Sequence, residues 1–129
     1  MNIDPHTYAE TFIAEDAVKS AARARGREIG TVDVTQGTGV YLRHLAYQLS
    51  AQSVVEVGTG AGVGSLWLLE GMISSGTLTS IDDEMEYTSI AKLALQDAEI
   101  EQARYRLITN SVMDVMTKLT DRAYDLVVF

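Results

Sequence analysis

The sequence contains no cysteine. That removes disulfide scaffolds, thiolate zinc sites and cysteine nucleophiles together, and it leaves the redox compartment unmarked by thiols. Basic residues are also scarce, with 10 Lys plus Arg against 18 Asp plus Glu and a formal charge of −8. A field of that sign repels polyanions, and phosphate contacts need clustered Lys and Arg, so nucleic acid is not an expected partner. No stretch approaches the roughly 18 consecutive apolar residues of a membrane span. Residues 1–15 hold acids and no apolar run of the signal-peptide kind. Neither membrane insertion nor export is expected, and the cytoplasm is the default location. The two histidines, His6 and His44, stand 44 − 6 = 38 positions apart with no companion at ligand spacing, so both are expected at the surface rather than on a metal.

What is present is 129 residues, 47% of them hydrophobic. That is the make-up of one globular domain able to bury roughly two-thirds of its unfolded surface. Residues 1–50 read as a leading helical segment and residues 51–129 as a strand and helix core. In the first part, Tyr8 to Arg27 is expected to be an outer helix that starts at Asp4-Pro5 and stops at Gly26 or Gly30. Phe12, Ile13, Ala17 and Ala21 would face inward, and Lys19, Arg23, Arg25 and Arg27 would face water. Thr31 to Gly39 reads as a loop from its Gly and Thr content, and Val40 to Ser50 as a helix with Leu42, Leu45, Ala46 and Leu49 on one face.

From Ser53 onward short apolar runs alternate with helical periodicity. Strands are expected at Ser53 to Val57, Thr77 to Ile81, Tyr105 to Thr109 and Tyr124 to Phe129, with helices at Ser65 to Met72, Asp83 to Glu99 and Val112 to Leu119. Strand and helix in strict alternation predict an α/β fold, a parallel sheet with helices on both faces. The last run, YDLVVF, has the composition of a central strand with a neighbour on each side. The expectation is therefore a single, partial domain over residues 1–129 whose carboxy-terminal part is missing.

In an open parallel sheet, ligands sit beyond the carboxyl ends of the strands, and the loop after the first strand is the usual cradle. Here that loop is Glu56-Val57-Gly58-Thr59-Gly60-Ala61-Gly62-Val63-Gly64-Ser65. A triphosphate P-loop needs a Lys after its last glycine, and there is none. The dinucleotide pattern G-x-G-x-x-G fails at Val63 when begun at Gly58, and at Ser65 when begun at Gly60. What remains is an acid, Glu56, two residues ahead of a G-x-G-x-G turn, where it would repel a pyrophosphate and attract a cation. A second acid, Asp82, ends the second strand 82 − 58 = 24 residues after Gly58, a distance at which a carboxylate accepts ribose hydroxyls. The pair asks for a nucleoside with a cationic, amino-bearing arm, and S-adenosylmethionine has that chemistry.

Through the blocks VVEVGTGAGVGSLWLL, GTLTSIDDEMEYTSIAKLAL, RYRLITNSVMDVMTKL and YDLVVF, the sequence resembles the class I S-adenosylmethionine-dependent methyltransferases. More narrowly, it resembles bacterial O-methyltransferases of the catechol/caffeoyl-CoA type. The resemblance implies a Rossmann-like fold and methyl transfer to a small, hydroxyl-bearing acceptor. It implies a cofactor shell in which Glu56, Gly58, Thr59, Gly60 and Ser65 line the methionine end, Asp82 the ribose, and Ser111 and Val112 the adenine, with Val34 closing over the cofactor. A divalent metal is implied for intact relatives only, because the family's first metal-binding Asp falls directly after Phe129. No catalytic residue is nominated within these 129 positions. The chain by itself is expected to be inactive or to bind cofactor only, and a homodimer is admitted as a partner state.

Plainer roles compete for the same residues. Glu56 could cap a helix N-terminus, and Asp83 and Glu84 read best as a negatively charged first helical turn. Gly62 and Gly64 serve close packing as readily as ligand contact, Asp114 and Asp125 read as solvated or capping, and Trp67 and Tyr87 read as core. Two other functional classes stand beside the methyltransferase: a fragment of an NAD-dependent oxidoreductase, and a non-catalytic interaction protein or remnant.

Overall fold

The structure, a computed structural model, describes residues 3–119 and 123–129. Four parallel strands form one sheet: β1 Ser53–Val57, β2 Thr77–Asp82, β3 Tyr105–Thr109 and β4 Leu126–Val128, in the order β3-β2-β1-β4. β1 is central, with Glu56 in register with Ser80 on one side and Val128 on the other. The chain steps outward from β1 through β2 to β3 and then returns to β1's opposite edge. The reversal of strand order therefore falls at β1, and the crevice beyond its carboxyl end is the place where such sheets bind ligands. Among the described residues β4 pairs with β1 alone, and the second neighbour expected for it is not among them.

Alternation within the apolar runs divides the core in two. Val54 and Leu78 point to a large cluster with Trp67, Leu68, Leu69 and Leu95, while Val55 and Ile81 point to a smaller one with Val115. Helices cover both faces, as expected: α2 Ala17–Ile29, α3 Gln36–Gln48, α4 Val63–Gly71 and α5 Met85–Asp97 feed the large cluster, and α6 Val112–Met116 feeds the small one. Asp125, read as solvated or capping, accepts hydrogen bonds from the backbone N–H groups of Gln52 and Ser53 and so ties the start of β4 to that of β1.

The amino-terminal third departs from expectation in three ways. First, the single helix over Tyr8 to Arg27 is two, α1 Pro5–Thr11 and α2, because Asp16 caps a new start by accepting from the Lys19 N–H at 2.9 Å. The starting signal at Asp4-Pro5 and the stop at Gly30, with a φ of 87°, both hold. Second, the inward face of α2 is Ala22 and Gly26, while Ala17, Ala21 and Phe12 are exposed. Lys19 is only 2% exposed, not in water: its ammonium pairs with Asp16 and Glu70 and lies 4.3 Å from the Trp67 ring centroid. Two carboxylates and an aromatic face replace its hydration, which apolar periodicity cannot show. Arg23 is likewise half-buried, paired with Glu15.

Third, α3 starts at Gln36 rather than Val40, capped by the Thr35 hydroxyl, so Gly37 and Gly39 are helical and not loop. Gly39 is there for close approach, since a Cβ on it would lie 2.3 Å from the Trp67 ring. α6 and β4 are shorter than the expected Val112 to Leu119 and Tyr124 to Phe129. Gly39→Ala is expected to cost about 1–3 kcal/mol by overpacking against Trp67. At Gly37 an added Cβ meets only the end of the Glu10 carboxylate, so Gly37→Ala should stay within about 1 kcal/mol of wild type. Urea unfolding of both variants checks this, and equal losses would refute the packing account.

Candidate functional site

At the carboxyl end of β1 lies a cavity of about 170 Å³. One wall is the loop from Thr31 to Val34, the opposite wall is the turn from Gly58 to Gly60, and Glu56, Gly64, Asp82 and Tyr87 complete it. Gly58 and Gly62 take φ of 95° and 93°, a left-handed backbone that side chains resist, and these two turns swing the chain from β1 into α4.

Glu56 is 4% exposed, and its Oε1 accepts two hydroxyl hydrogen bonds, from Ser65 at 2.6 Å and from Ser80 at 2.7 Å. Ser80 comes from β2 by register and Ser65 from the first turn of α4, so three elements converge on one oxygen. Thr59 and Ser80 hydroxyls share a further bond of 2.7 Å. The second oxygen, Oε2, borders Gly64, where a Cβ would stand 2.6 Å from it and close it off. Burial raises the Glu56 pKa from its ordinary 4.5 to about 7, the two hydroxyls lowering it and the nearby Asp33 and Asp82 carboxylates raising it further. Glu56 takes side-chain hydroxyls rather than helix amides, so the helix-capping role does not describe it.

Three successive amides of the glycine turn, those of Gly60, Ala61 and Gly62, are already engaged. Gly60 N–H donates to Asp82 Oδ2 at 3.1 Å, Ala61 N–H to Asp33 Oδ1 at 3.0 Å, and Gly62 N–H to the Thr59 carbonyl at 3.1 Å. Asp82 spends its other oxygen on the Glu84 N–H at 3.1 Å, and Asp33 spends its own on the Thr31 hydroxyl at 2.6 Å. Where a pyrophosphate site offers free N–H donors, this turn presents carboxylates. The arrangement suits a ligand with cationic and hydroxyl groups. Among the described residues no group of three or more His, Asp or Glu is placed to hold a metal ion.

Of the residues singled out from sequence, Val34, Glu56, Gly58, Thr59, Gly60 and Asp82 gather around this one cavity. Ser65 lies behind it, fully buried against Glu56, and Ser111 and Val112 lie outside it at the start of α6, beyond the end of β3 and two strands from β1. Ser111 is exposed, and Val112 packs on the Val55 and Ile81 cluster. Tyr87, expected in the core, is half-buried and lines the cavity; Trp67 is core. Sequence reasoning missed Thr31, Val32 and Asp33, and left Gly64, which lines the cavity, between packing and ligand contact. The only signal for the first three was a Val-Asp-Val alternation marking an extended stretch rather than a free loop. His44 and His6 are exposed.

The fold and this site define a class. The chain belongs to the methyltransferase small domain family, whose model matches residues 30–129. Among individual relatives, it is 50% identical over 120 residues to a protein of Mycobacterium sp. (strain KMS) named "Putative O-methyltransferase", covering 93% of this chain and 54% of that one. The chain thus spans about half the length of the curated relatives it matches. A crystal structure of a Corynebacterium glutamicum protein superposes with a TM-score of 0.86 at 30% identity, covering 95% of this chain and 58% of that one. The O-methyltransferase TomG from Streptomyces achromogenes, solved in complex with SAM, superposes with a TM-score of 0.83 at 25% identity, covering 93% and 56%. The α/β fold with a parallel, helix-flanked sheet read from sequence is the one these structures share.

The buried carboxyl makes stability depend on pH. Because Glu56 holds its proton more tightly folded than unfolded, its contribution is fully present below about pH 4.5, falls as pH rises to about 7, and is flat above. Glu56→Gln, which cannot ionise, should therefore gain on the wild type by about 1–3 kcal/mol between pH 5 and pH 8. Urea midpoints at the two pH values measure it, and parallel pH profiles for the two proteins would contradict the assignment.

Proposed function

We propose that the cavity is the S-adenosylmethionine site of an O-methyltransferase and that this chain carries the cofactor-binding half. The observation that carries the reading is a glycine turn lined by three carboxylates, two of which hold its Gly60 and Ala61 amides, at the sheet's switch point. In this reading Glu56 Oε2 takes the cofactor's α-ammonium, Gly58 to Gly60 run along its methionine arm, Asp82 receives the ribose hydroxyls, and Val34 covers it. Adenine would extend toward Ser111 and Val112. Ser65 and Ser80 act from behind by fixing the rotamer of Glu56.

When bound, the cofactor supplies a methyl group that leaves the sulfonium sulfur for an acceptor oxygen, whose proton departs. The chain's residues bind and orient, and no residue here is assigned to remove that proton. In this reading the acceptor is a small hydroxyl-bearing molecule; the relatives' names support methyl transfer to oxygen. A cytoplasmic location, a homodimeric state, and the division into a leading segment 1–50 and a core 51–129 belong to the same reading. An NAD site is disfavoured, since a pyrophosphate would meet Asp33, Glu56 and Asp82 where it needs donors.

Titration calorimetry of the 129-residue chain with S-adenosylhomocysteine, with NAD as control, tests the reading. Binding is expected for the first ligand only, weakened about tenfold or more by Glu56→Gln and by Asp82→Asn. Because the ammonium needs an ionised partner, affinity should also rise with pH through about 7 in the wild type, and not in Glu56→Gln. Preference for NAD would put the oxidoreductase first. A folded chain that binds neither ligand would leave the non-catalytic remnant.

A further inference from the structure

The cavity's outer wall, the stretch from Thr31 to Thr35 between α2 and α3, belongs to no helix or strand. Val32 is 99% exposed, and Val34 alone of the stretch packs on the large apolar cluster. The Thr31 N–H closes the end of α2 on the Gly26 carbonyl at 2.9 Å. Past that point charged side chains tie the loop down. On the cavity side, Asp33 bolts it to the glycine turn through the Ala61 N–H. On the far side, Arg23 Nη2 donates to the Val34 carbonyl at 2.6 Å, and Glu10 accepts from the Gly37 N–H at 2.7 Å and the Thr35 hydroxyl at 3.2 Å.

Arg23 is itself held. Its Nε and Nη2 fork onto the two oxygens of Glu15 at 3.0 and 2.8 Å, and the Glu15 side chain is 3% exposed. A bidentate guanidinium with a buried partner has one orientation available, and that orientation leaves an Nη2 hydrogen on the Val34 carbonyl. Glu15 lies in the break between α1 and α2. Val34 in turn lies beside Glu56: a Cβ on Gly64 would be 2.6 Å from Glu56 Oε2 and 3.8 Å from Val34 Cγ1. Glu10, Glu15 and Arg23 all precede residue 30, where the family match begins.

We propose that Arg23, oriented by Glu15, is a positioning residue for cofactor binding: it pins the Val34 carbonyl and thereby sets the loop that closes the site against Glu56. The proposal rests on the reading of the cavity as the S-adenosylmethionine site. It makes the leading helices part of that site rather than a covering for the sheet. Arg23 touches no reacting atom, and its effect passes wholly through Val34.

The test compares the full chain with its R23Q, R23K and E15Q variants. Three quantities are read: S-adenosylhomocysteine affinity by calorimetry, melting temperature, and amide hydrogen exchange resolved to residues 31–35 and to β1 and β2. R23Q and E15Q are expected to weaken affinity about tenfold and to speed exchange in the loop while β1 and β2 keep their protection. R23K, which keeps a donor for the carbonyl but loses the fork, should fall between, and it carries the comparison if R23Q does not fold. Variants that bind within about twofold of wild type overturn the proposal alone. So does an affinity loss accompanied by equal loss of protection in β1 and β2, which marks Arg23 as merely structural. Failure of the wild-type chain to bind overturns the cofactor reading first, and the proposal with it.

Discussion

A carboxyl group buried at the end of the central strand is the constraint around which the rest of the site is arranged. Glu56 sits where β1 is flanked on both sides, so it has no route to bulk water except the cavity beyond the strand. Such a group is tolerable only with hydrogen-bond donors in place, and they arrive from two separate elements, Ser80 through strand register and Ser65 through the first turn of α4. That explains why β2 carries a serine between Thr79 and Ile81, fully buried, and why the first turn of α4 carries Ser65. It explains Gly64 as well: any side chain there would fill the space beside Oε2 and seal the one oxygen left facing the cavity.

The same logic governs the turn. Helix N-termini and glycine turns ordinarily attract anions because their N–H groups lack partners. Here the donors at Gly60 and Ala61 are taken by Asp82 and Asp33, so the turn faces the cavity with acidic side chains. Three carboxylates around a small cavity repel one another, and part of the cost appears in the raised pKa of Glu56. A positively charged ligand relieves that repulsion, whereas a negatively charged one adds to it. The choice between nucleotide classes thus rests on electrostatics more than on the count of glycines.

The sheet was legible from sequence because its information is local: Ser53 to Val57 and Thr77 to Ile81 are β-branched, short and bounded by turn residues, and β1 to β3 lie where those signals put them. The leading helices were less legible, since what decides them is tertiary. Lys19 turns inward because Trp67 and Glu70 wait for it 48 and 51 positions later (67 − 19 and 70 − 19). Gly39 is helical because Trp67 needs the room, although glycine by itself argues for a loop. The site divides along the same line. Glu56, Gly58 and Asp82 announce themselves by position at strand ends, while Asp33 and Gly64 acquire meaning only when the loop and α4 are folded against β1.

This contrast bears on what the amino-terminal third contributes. Were α1 to α3 only a cover for the sheet, their interactions would be the apolar ones that sequence periodicity reports. Instead their best-defined contacts are polar and directed at particular groups: Asp16 and Glu70 on Lys19, Glu15 on Arg23, Arg23 on the Val34 carbonyl, Glu10 on the start of α3. Hydrogen bonds of that kind add modestly to net stability and strongly to geometric definition, because each has one good arrangement and several poor ones. Such contacts fix a loop in space, beside the apolar packing of Ala22, Leu42 and Ala46 that joins α2 and α3 to the core. The strand core supplies Glu56 and Asp82, and the stretch between the leading helices supplies Asp33 and the wall that faces them.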